Sequence, residues 1–298
     1  AGLGRDVPVG PFTTYRVGGP AALFVDVEDE ADLAVVVEAL VAEPGPVPVL
    51  VIGKGSNLLV ADAGFPGLAV VLGEHFAAVE VDGTEVQAGA AVALPVVARR
   101  TVAAGLSGFE WAVGVPGSIG GAVRMNAGGH GSELASSLVG VRVLDLRTGE
   151  DGVVPAPSLE LGYRRSAVEP HHLVLAARLQ LGVGDPETGA RLLSEIVAWR
   201  RANQPGGPNA GSVFTNPVGD SAGRLIESVG GKGLRVGTAS VSAKHANFIQ
   251  ADEGGRADDV VALMAVLVQR VHRATGIELS AETRLVGFEP NALPEVEG

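Results

Sequence analysis

Two glycine-rich stretches of the chain have the composition of phosphate-binding loops. They are GKGSN at 53–57 and VGVPGSIGGAVRMNAGG at 113–129, and the second is too rich in glycine for us to expect a helix. Glycine admits positive φ angles and lets a ligand touch the main chain, and consecutive amide groups in such turns form a concave anion site. Together the stretches predict a long guest such as a dinucleotide, although each alone also suits a tight turn between strands.

The common nucleotide-binding signatures do not occur in these stretches. GKGSNL lacks the third glycine of the dinucleotide fingerprint, and no acidic residue follows a helix at the required distance of about twenty residues. The P-loop pattern is absent from the sequence as well. We therefore expect neither a Rossmann site nor a P-loop site.

Three polar residues farther along the chain could act on a substrate that carries a carboxylate. Arg164 lies in LGYRRS, Ser212 in NAGSVF and Glu282 in ETRLVG. A guanidinium can fork onto a carboxylate, while a hydroxyl or carboxyl group can hold or deliver a proton at contact distance. From the residues alone, each also suits an ordinary role: a surface ion pair, a turn and an exposed acid at the end of a strand.

Strands and helices must position these residues, and the hydrophobic pattern predicts both. Short apolar or alternating runs predict strands at 48–53, 68–73, 139–146 and 171–182. Asp82-Gly83 between two alternating runs predicts a hairpin. Helices are expected at 30–41 and 93–104, and another follows a turn-rich joint at 183–190. Asp220 and Asp258 are expected to cap two further helices, the second of which ends at Gly276. The fold class is therefore α+β.

Composition and charge argue against several classes of function. The net charge is −12, so we expect no nucleic acid and no acidic membrane as partner, because both need a basic face. The chain contains no cysteine, which excludes disulfides and thiol catalysis. His171 and His172 are expected to alternate on a strand without metal-binding spacing, so we predict no metal site. We see no signal peptide or membrane span and expect a cytoplasmic protein.

Six motifs, in one order along nearly the whole chain, closely resemble the UDP-N-acetylenolpyruvoylglucosamine reductase family. They are TTYRVGGPA (13–21), GKGSNLLV (53–60), VGVPGSIGGAVRMNAGG (113–129), LGYRRS (161–166), NAGSVFTNP (209–217) and ETRLVG (282–287). The resemblance implies an FAD-binding domain of the vanillyl-alcohol oxidase or PCMH type at 1–184, with subdomains of about 1–67 and 68–184. It also implies an α+β substrate-binding domain at 185–298, whose last residues return to the active site. The short interval between Arg164 and Ser212 resembles the insertion-free type of the family.

The resemblance also implies which residues bind and react. It implies that FAD contacts Gly53, Lys54, Gly55, Ser56, Asn57, Leu58, Gly114, Pro116, Gly117, Ser118, Gly120, Gly121, Asn126, Ala127 and Gly128. It implies that the sugar nucleotide contacts Asn216, Lys232 and His245. By the same resemblance, Ser212 is the proton donor, while Arg164 and Glu282 act on the substrate carboxylate. The glycine stretches would then be bare because a flavin dinucleotide lies on them.

The reaction that the resemblance implies is the NADPH-dependent, FAD-mediated reduction of an enolpyruvyl ether on a UDP-sugar, within peptidoglycan biosynthesis. Flavin N5 would give hydride to the terminal carbon, and Ser212 would protonate the adjacent carbon. Two alternatives stay open. One is another FAD-dependent oxidoreductase of the same fold, which would keep the glycine loops without the three reactive residues, and the other is a flavin-binding module without turnover. We expect a monomer.

Overall fold

The computed structural model describes residues 2–293 and contains both strands and helices throughout. The strands are β1 (Leu3–Pro8), β2 (Pro20–Val27), β3 (Val49–Ile52), β4 (Leu58–Val60), β5 (Phe65–Leu72), β6 (Val79–Asp82), β7 (Glu85–Gly89), β8 (Leu106–Ser107), β9 (Gly128–Gly129), β10 (Ser132–Glu133), β11 (Leu138–Asp145), β12 (Asp151–Pro155), β13 (His172–Gln180), β14 (Gly182–Val183), β15 (Arg235–Val236), β16 (Ala239–Val241), β17 (Ile249–Ala251) and β18 (Arg284–Val286). The helices are α1 (Glu30–Ala42), α2 (Leu94–Ala103), α3 (Ile119–Met125), α4 (Pro186–Asn203), α5 (Ala222–Ser228) and α6 (Ala257–Thr275).

The chain forms two compact units, neither of which is continuous in sequence. The first holds the described part of Ala1–Arg5 together with Leu23–Lys54 and Gly67–Arg200. The second holds Asp6–Ala22, Gly55–Pro66 and the described part of Arg201–Gly298. The domain boundary that the sequence suggests after residue 184 stays a prediction. The sequence also predicts that the last residues return to the active site. Residues 294–298 of this segment lie outside the described residues.

The first unit contains two larger sheets, besides the two-stranded pairs β9–β10 and β8–β14. A four-stranded sheet has the order β1-β2-β5-β3, and β3 runs parallel to β5. A five-stranded sheet has the order β12-β11-β13-β7-β6, and its neighbouring strands are antiparallel. The helix α1 packs its buried Leu33 and Val36 into a core that also contains Val70 and Leu173. A second core gathers residues of α2, α3 and the five-stranded sheet, including Val97, Ile119 and Leu179.

The second unit packs helices α5 and α6 around one core. The helix α6 buries an apolar stripe formed by Val261, Met264, Leu267, Val268 and Val271. Strands β15, β16 and β17 form an antiparallel sheet, and β4 pairs with β18 in parallel. That parallel pair brings the end of the first glycine loop beside the ETRLVG motif, although the two are far apart in sequence.

Most of the elements predicted from the sequence are confirmed. The hairpin turns at Gly83, which has a φ of +57° between β6 and β7. The helices expected at 30–41 and 93–104 are α1 and α2, and α6 ends at Gly276 with a φ of +72°. No helix within residues 2–293 combines the length and apolar character that a membrane crossing requires.

Four local predictions are wrong. The stretch 113–129 is not entirely loop, because α3 forms within it behind a Ser118 cap. The joint at 183–190 is already helical from Pro186, a residue whose fixed φ suits the first turn of a helix. The helix α5 takes its cap from Ser221 rather than Asp220, which instead pairs with Arg224.

The fourth correction concerns the start of α6. Its N-cap is Arg256, which provides no side-chain capping bond, and Asp258 lies inside the first turn. The carboxylate of Asp62 takes over the role, because its Oδ1 accepts a hydrogen bond from the Ala257 amide at 2.9 Å. A residue so distant in sequence cannot be recognised as a helix cap from spacing alone.

Candidate active site

The glycine-rich stretch of the first unit is shaped by a serine cap. Ser118 Oγ accepts a hydrogen bond from the Gly121 amide at 3.4 Å and so caps α3. Gly53, which follows β3, lies against the same hydroxyl, because a Cβ atom at Gly53 would be 2.3 Å from Ser118 Oγ. The absence of a side chain at Gly53 is therefore required by this approach of loop to cap.

Packing within the protein explains several of the other glycines. A Cβ at Gly114 would lie 2.8 Å from His130 Nε2 and 2.9 Å from Ile196 Cγ2, and one at Gly128 would lie 2.7 Å from the Ser132 carbonyl oxygen. The neighbour of Gly128 is main chain, so that position needs glycine whether or not a ligand binds, whereas a Cβ at Gly114 would displace the His130 and Ile196 side chains. Packing therefore already accounts for part of the bare glycine strip, residues 113–129, and the flavin contacts expected along it stay predictions.

Gly121 and Gly129 of the strip have room for a side chain. A Cβ at the exposed Gly121 would meet, among the described residues, only Ser118 Oγ at 3.6 Å. A Cβ at Gly129 would meet only Val115 Cγ2, also at 3.6 Å, among the same residues. Both distances are ordinary van der Waals contacts, so the chain's own packing permits a side chain there. The bare main chain at these two positions fits a ligand that approaches it closely.

Arg164 lies in a tight turn beside the strip. A short antiparallel bridge joins Gly162 to Arg165, and Arg164 has a φ of +56° between them. Its Nη2 donates to the Gly128 carbonyl oxygen at 3.4 Å. The LGYRRS motif therefore folds back on itself and does not run on as an extended strand through Arg164 and Arg165.

Asn126 holds this turn against the strip. Its side-chain amide donates to the Gly162 carbonyl oxygen at 3.1 Å, and its Oδ1 accepts from the Ala135 amide at 3.0 Å. The residue is fully buried and has a φ of +40°, in the left-handed region that asparagine tolerates better than most side chains. Its side chain thus links the turn that contains Arg164 to the segment at Ala135.

Sequence reasoning missed Arg200, at the end of α4. Its Nη1 donates to the Gly114 carbonyl oxygen at 2.6 Å, and the side chain is half-buried. Burial lowers the pKa of Arg200, and burial together with the Arg200 charge lowers the pKa of His130. No sequence motif links Arg200 to Gly114, because only the packing of α4 beside the strip brings the guanidinium to the Gly114 carbonyl.

In the second unit, residues 55–57 of the first glycine-rich stretch pack against the segment that contains the TTYR motif. Gly55 has a φ of +58°, and a Cβ there would lie 2.2 Å from the Phe12 carbonyl oxygen. The Thr14 amide donates to the Gly55 carbonyl oxygen at 3.1 Å. Tyr15 is fully buried, and this burial raises the pKa of its hydroxyl. The loop therefore has its shape through contacts of the chain with itself.

Hydrogen bonds bring the same loop, the Ser212 segment and Glu282 together. The Glu282 amide donates to the carbonyl oxygen of Val213, the residue that follows Ser212, at 2.9 Å. The Asn57 side-chain amide donates to the Glu282 carbonyl oxygen at 3.0 Å. Val213 is fully buried, so this junction is anchored in the core. The two residues expected to supply a proton and to polarise a carboxylate thus lie on adjacent, hydrogen-bonded segments.

The three predicted substrate residues gather around α5. Asn216 Oδ1 accepts from the Ala222 amide at 3.1 Å, where α5 begins. Lys232 Nζ lies 2.8 Å from a carboxylate oxygen of Glu227 on α5. A Cβ at Gly223 would be 3.4 Å from His245 Cε1. Asn216 and Lys232 are exposed, and burial, with a smaller effect of the Lys232 charge, lowers the pKa of His245.

Comparisons with known proteins identify both parts of the chain. Residues 21–150 match the family described as FAD binding domain, and residues 203–286 match the family described as UDP-N-acetylenolpyruvoylglucosamine reductase, C-terminal domain. The reductase of Heliobacterium modesticaldum is 43% identical over 94% of this chain and 89% of its own. That of Rubrobacter xylanophilus is 40% identical over 95% of this chain and 94% of its own.

A solved structure agrees with the sequence comparisons. The crystal structure of UDP-N-acetylenolpyruvylglucosamine reductase from Thermus caldophilus superposes with a TM-score of 0.83 and is 36% identical, covering 96% of this chain and 99% of that one. The matched FAD-binding domain, the relatives and the fold therefore define an FAD-containing oxidoreductase with an α+β architecture. Within that class, the chain belongs to the UDP-N-acetylenolpyruvoylglucosamine reductase family of peptidoglycan biosynthesis.

Proposed function

We propose that this protein reduces UDP-N-acetylenolpyruvoylglucosamine to UDP-N-acetylmuramate, with NADPH as the source of hydride. The observation that carries the proposal is the junction of Asn57, Val213 and Glu282, which holds Ser212 and Glu282 on neighbouring segments. A proton donor and a carboxyl group held together suit a substrate that gains a proton beside its own carboxylate. Membership of the reductase family agrees with this chemistry.

The cofactor is proposed to lie along the two glycine stretches, 53–58 and 114–128. At Gly121 of this set, and at Gly129 just beyond it, the chain leaves room for a close ligand. Backbone amides in such turns are suited to the pyrophosphate of FAD. When bound, FAD supplies the hydride that passes to the terminal carbon of the enol double bond.

The chain's own residues would manage the charge and the proton. Negative charge builds up on the substrate carboxylate as the hydride arrives, and the Arg164 guanidinium can pair with it in a forked geometry. Glu282 would polarise the same carboxylate, either as the protonated acid or through a water molecule. The Ser212 hydroxyl would then deliver its proton to the carbon next to the carboxylate, which is strongly basic at that moment. One hydride and one proton convert the enolpyruvyl ether into a lactyl ether.

Substrate binding is proposed to use the residues around α5. Lys232 can neutralise a diphosphate by its charge, and His245 and Asn216 offer hydrogen bonds. Asn216 already accepts a hydrogen bond through Oδ1, so its Nδ2 is the group suited to donate to a ligand. The cytoplasmic location and the monomeric state expected from the sequence remain predictions.

The purified, FAD-loaded protein tests the proposal directly. We expect NADPH oxidation to depend on added UDP-N-acetylenolpyruvoylglucosamine, and the product to gain two hydrogen atoms by mass spectrometry. UDP-N-acetylglucosamine, which lacks the enolpyruvyl group, is the matched control and should support no turnover. Dioxygen consumption with small alcohols, without any reaction of the enolpyruvyl substrate, would point instead to an oxidase of the same fold. Flavin reduction by NADPH without turnover of any substrate would point to a binding module.

A further inference from the structure

A cluster of two histidines and an aspartate forms in the first unit, where the sequence predicts no metal site. His171 precedes β13 and His172 begins it, so the two do not alternate along one strand as expected. The antiparallel pairing of β11 with β13 places Asp145 opposite His172. The ligand atoms of the three side chains lie within 4.8 Å of one another. Spacing could not reveal this cluster, because its carboxylate comes from a different strand.

The distances within the cluster are too long for hydrogen bonds. Asp145 Oδ2 lies 3.6 Å from His171 Nε2 and 3.9 Å from His172 Nε2. Two ligands of one tetrahedral ion, with bonds of about 2.0–2.1 Å, are separated by about 3.4 Å. A small inward movement of side chains would therefore bring all three groups to bonding distance from a shared ion.

The hydrogen bonds around the cluster are made by atoms other than the three that converge. Asp145 Oδ1 accepts from the Arg147 amide at 2.8 Å, so the carboxylate is oriented with Oδ2 toward both rings. His171 Nδ1 is buried and finds no hydrogen-bond partner among residues 2–293. The exposed fractions of the three side chains are 22% for Asp145, 17% for His171 and 27% for His172. The cluster is thus sheltered but open to an entering ion.

We propose that Asp145 Oδ2, His171 Nε2 and His172 Nε2 bind one divalent transition-metal ion of the zinc class, with water in the remaining position. Two imidazoles and one carboxylate suit Zn²⁺, Ni²⁺ or Cu²⁺, whereas Mg²⁺ and Ca²⁺ prefer oxygen ligands alone. The site is independent of the proposed function, and none of its residues takes part in that chemistry.

Binding requires a tautomer change at His172. The Glu169 amide donates to His172 Nδ1 at 3.0 Å, so the neutral ring carries its proton on Nε2 in the metal-free protein. Ligation through Nε2 requires the proton on Nδ1, which can then no longer accept from Glu169. The proton moves from one ring nitrogen to the other, and the Glu169 amide is released. This rearrangement distinguishes the proposed site from loose surface adsorption.

Competition with a zinc-sensitive chelator on the FAD-loaded protein tests the site. We expect one zinc ion per chain and little competition from Mg²⁺. Asp145→Asn and His171→Gln should weaken zinc binding by about tenfold or more, while His75→Gln, which removes an exposed histidine elsewhere in the unit, should leave it unchanged. The unfolding temperatures of the variants check that each one is folded.

Amide hydrogen exchange at Glu169 provides the second measurement. Zinc should accelerate exchange at this amide in the wild-type protein, because its hydrogen bond is lost, and should have no such effect in Asp145→Asn. Zinc binding that is equally strong in the two cluster variants, or absent from the wild type, overturns the proposal. Zinc-dependent changes without a response at Glu169 overturn the assignment of His172 as a ligand.

Discussion

The side-chain amide of Asn57 donates a hydrogen bond to the main-chain carbonyl oxygen of Glu282, at 3.0 Å. One residue belongs to a glycine loop that the family resemblance assigns to the cofactor, and the other is the glutamate proposed to polarise the substrate carboxylate. The Arg284 amide donates back to the Asn57 carbonyl oxygen at 3.0 Å, so two hydrogen bonds join these segments, one at Glu282 and one at Arg284. The Asn57 side chain thus has a positional role within the protein, in addition to any contact with FAD.

Replacing Asn57 by aspartate should slow the reaction while leaving the flavin bound. A carboxylate of the same size cannot donate to the Glu282 carbonyl oxygen, so Glu282 loses a positional restraint. We expect flavin reoxidation by substrate in rapid mixing to slow by about tenfold, with a loss of about 1–2 kcal/mol in the free energy of unfolding. Thr84→Ala, which removes a side-chain hydrogen bond to Gln180, is the control for stability without kinetic effect. Loss of FAD with unchanged kinetics in the remaining loaded enzyme would contradict this role.

Gly53 and Ser118 should show strong coupling in a double-mutant cycle. In Gly53→Ala the new Cβ would lie 2.3 Å from Ser118 Oγ, but 3.5 Å from Ser118 Cβ. The single change should therefore destabilise the protein by about 1–3 kcal/mol, and Ser118→Ala should cost about 1 kcal/mol through the lost cap. The double variant should be no less stable than Ser118→Ala alone. Chemical denaturation of all four proteins measures the coupling, and simple additivity would rule out the clash.

Gly121→Ala should have opposite effects on the stability of the protein and on its affinity for FAD. Alanine is favoured over glycine inside a helix, and the position has room for a Cβ. The FAD-free protein should therefore gain about 0.5–1 kcal/mol in stability, whereas FAD affinity should fall because the Cβ occupies ligand space. In Gly120→Ala the Cβ meets Ala90 Cβ at 3.1 Å, so that variant should be less stable than Gly121→Ala. Unchanged FAD affinity in Gly121→Ala would mean that the flavin does not lie on this residue.

Ser212→Ala tests the proton donor. The variant should retain full FAD occupancy and normal reduction of the flavin by NADPH, because neither needs the hydroxyl. Reoxidation by the enolpyruvyl substrate should slow by about a hundredfold or more, since general-acid assistance is lost. Rapid-mixing absorbance measurements separate the two half-reactions, with Ser194→Ala on α4 as the matched control. Reoxidation near the wild-type rate would exclude Ser212 as the donor.

His245 should make stability depend on pH in the mildly acidic range. Burial, with a smaller effect of Lys232, holds the pKa of His245 below its ordinary value in the folded protein. As pH falls below about 6.5 the unfolded chain takes up this proton first, so the contribution of His245 to stability is complete above that pH and declines below it. NMR titration of the imidazole should give a pKa below 6.5 in the wild type and a higher one in Lys232→Gln. His245→Gln should flatten the pH dependence of unfolding in the same range, and a wild-type pKa above 6.5 would contradict this assignment.

The sequence by itself determined the architecture and the family. Hydrophobic periodicity predicted α1, α2, α6 and the β6–β7 hairpin, because period and turn chemistry are local properties of the chain. Six ordered motifs predicted the reductase family, and the comparisons confirm it. Local composition led to a wrong prediction where glycine occurs both in loops and within a short helix. Glycine in 113–129 suggested a loop, but a serine cap and tertiary packing allow α3 to form there.

Only the tertiary structure decided which distant residues act together. Arg200 reaches Gly114 from the end of α4, Asp62 caps α6, and Asp145 lies beside His172 of the facing strand and His171 just before it. The structure also divided the glycines into those required by neighbouring atoms, such as Gly53, and those that leave space for a ligand, such as Gly121. The physical reason is that hydrogen bonds and steric contacts depend on distance in space. Residues far apart in sequence become neighbours only when strands pair and helices pack, and spacing along the chain does not record this.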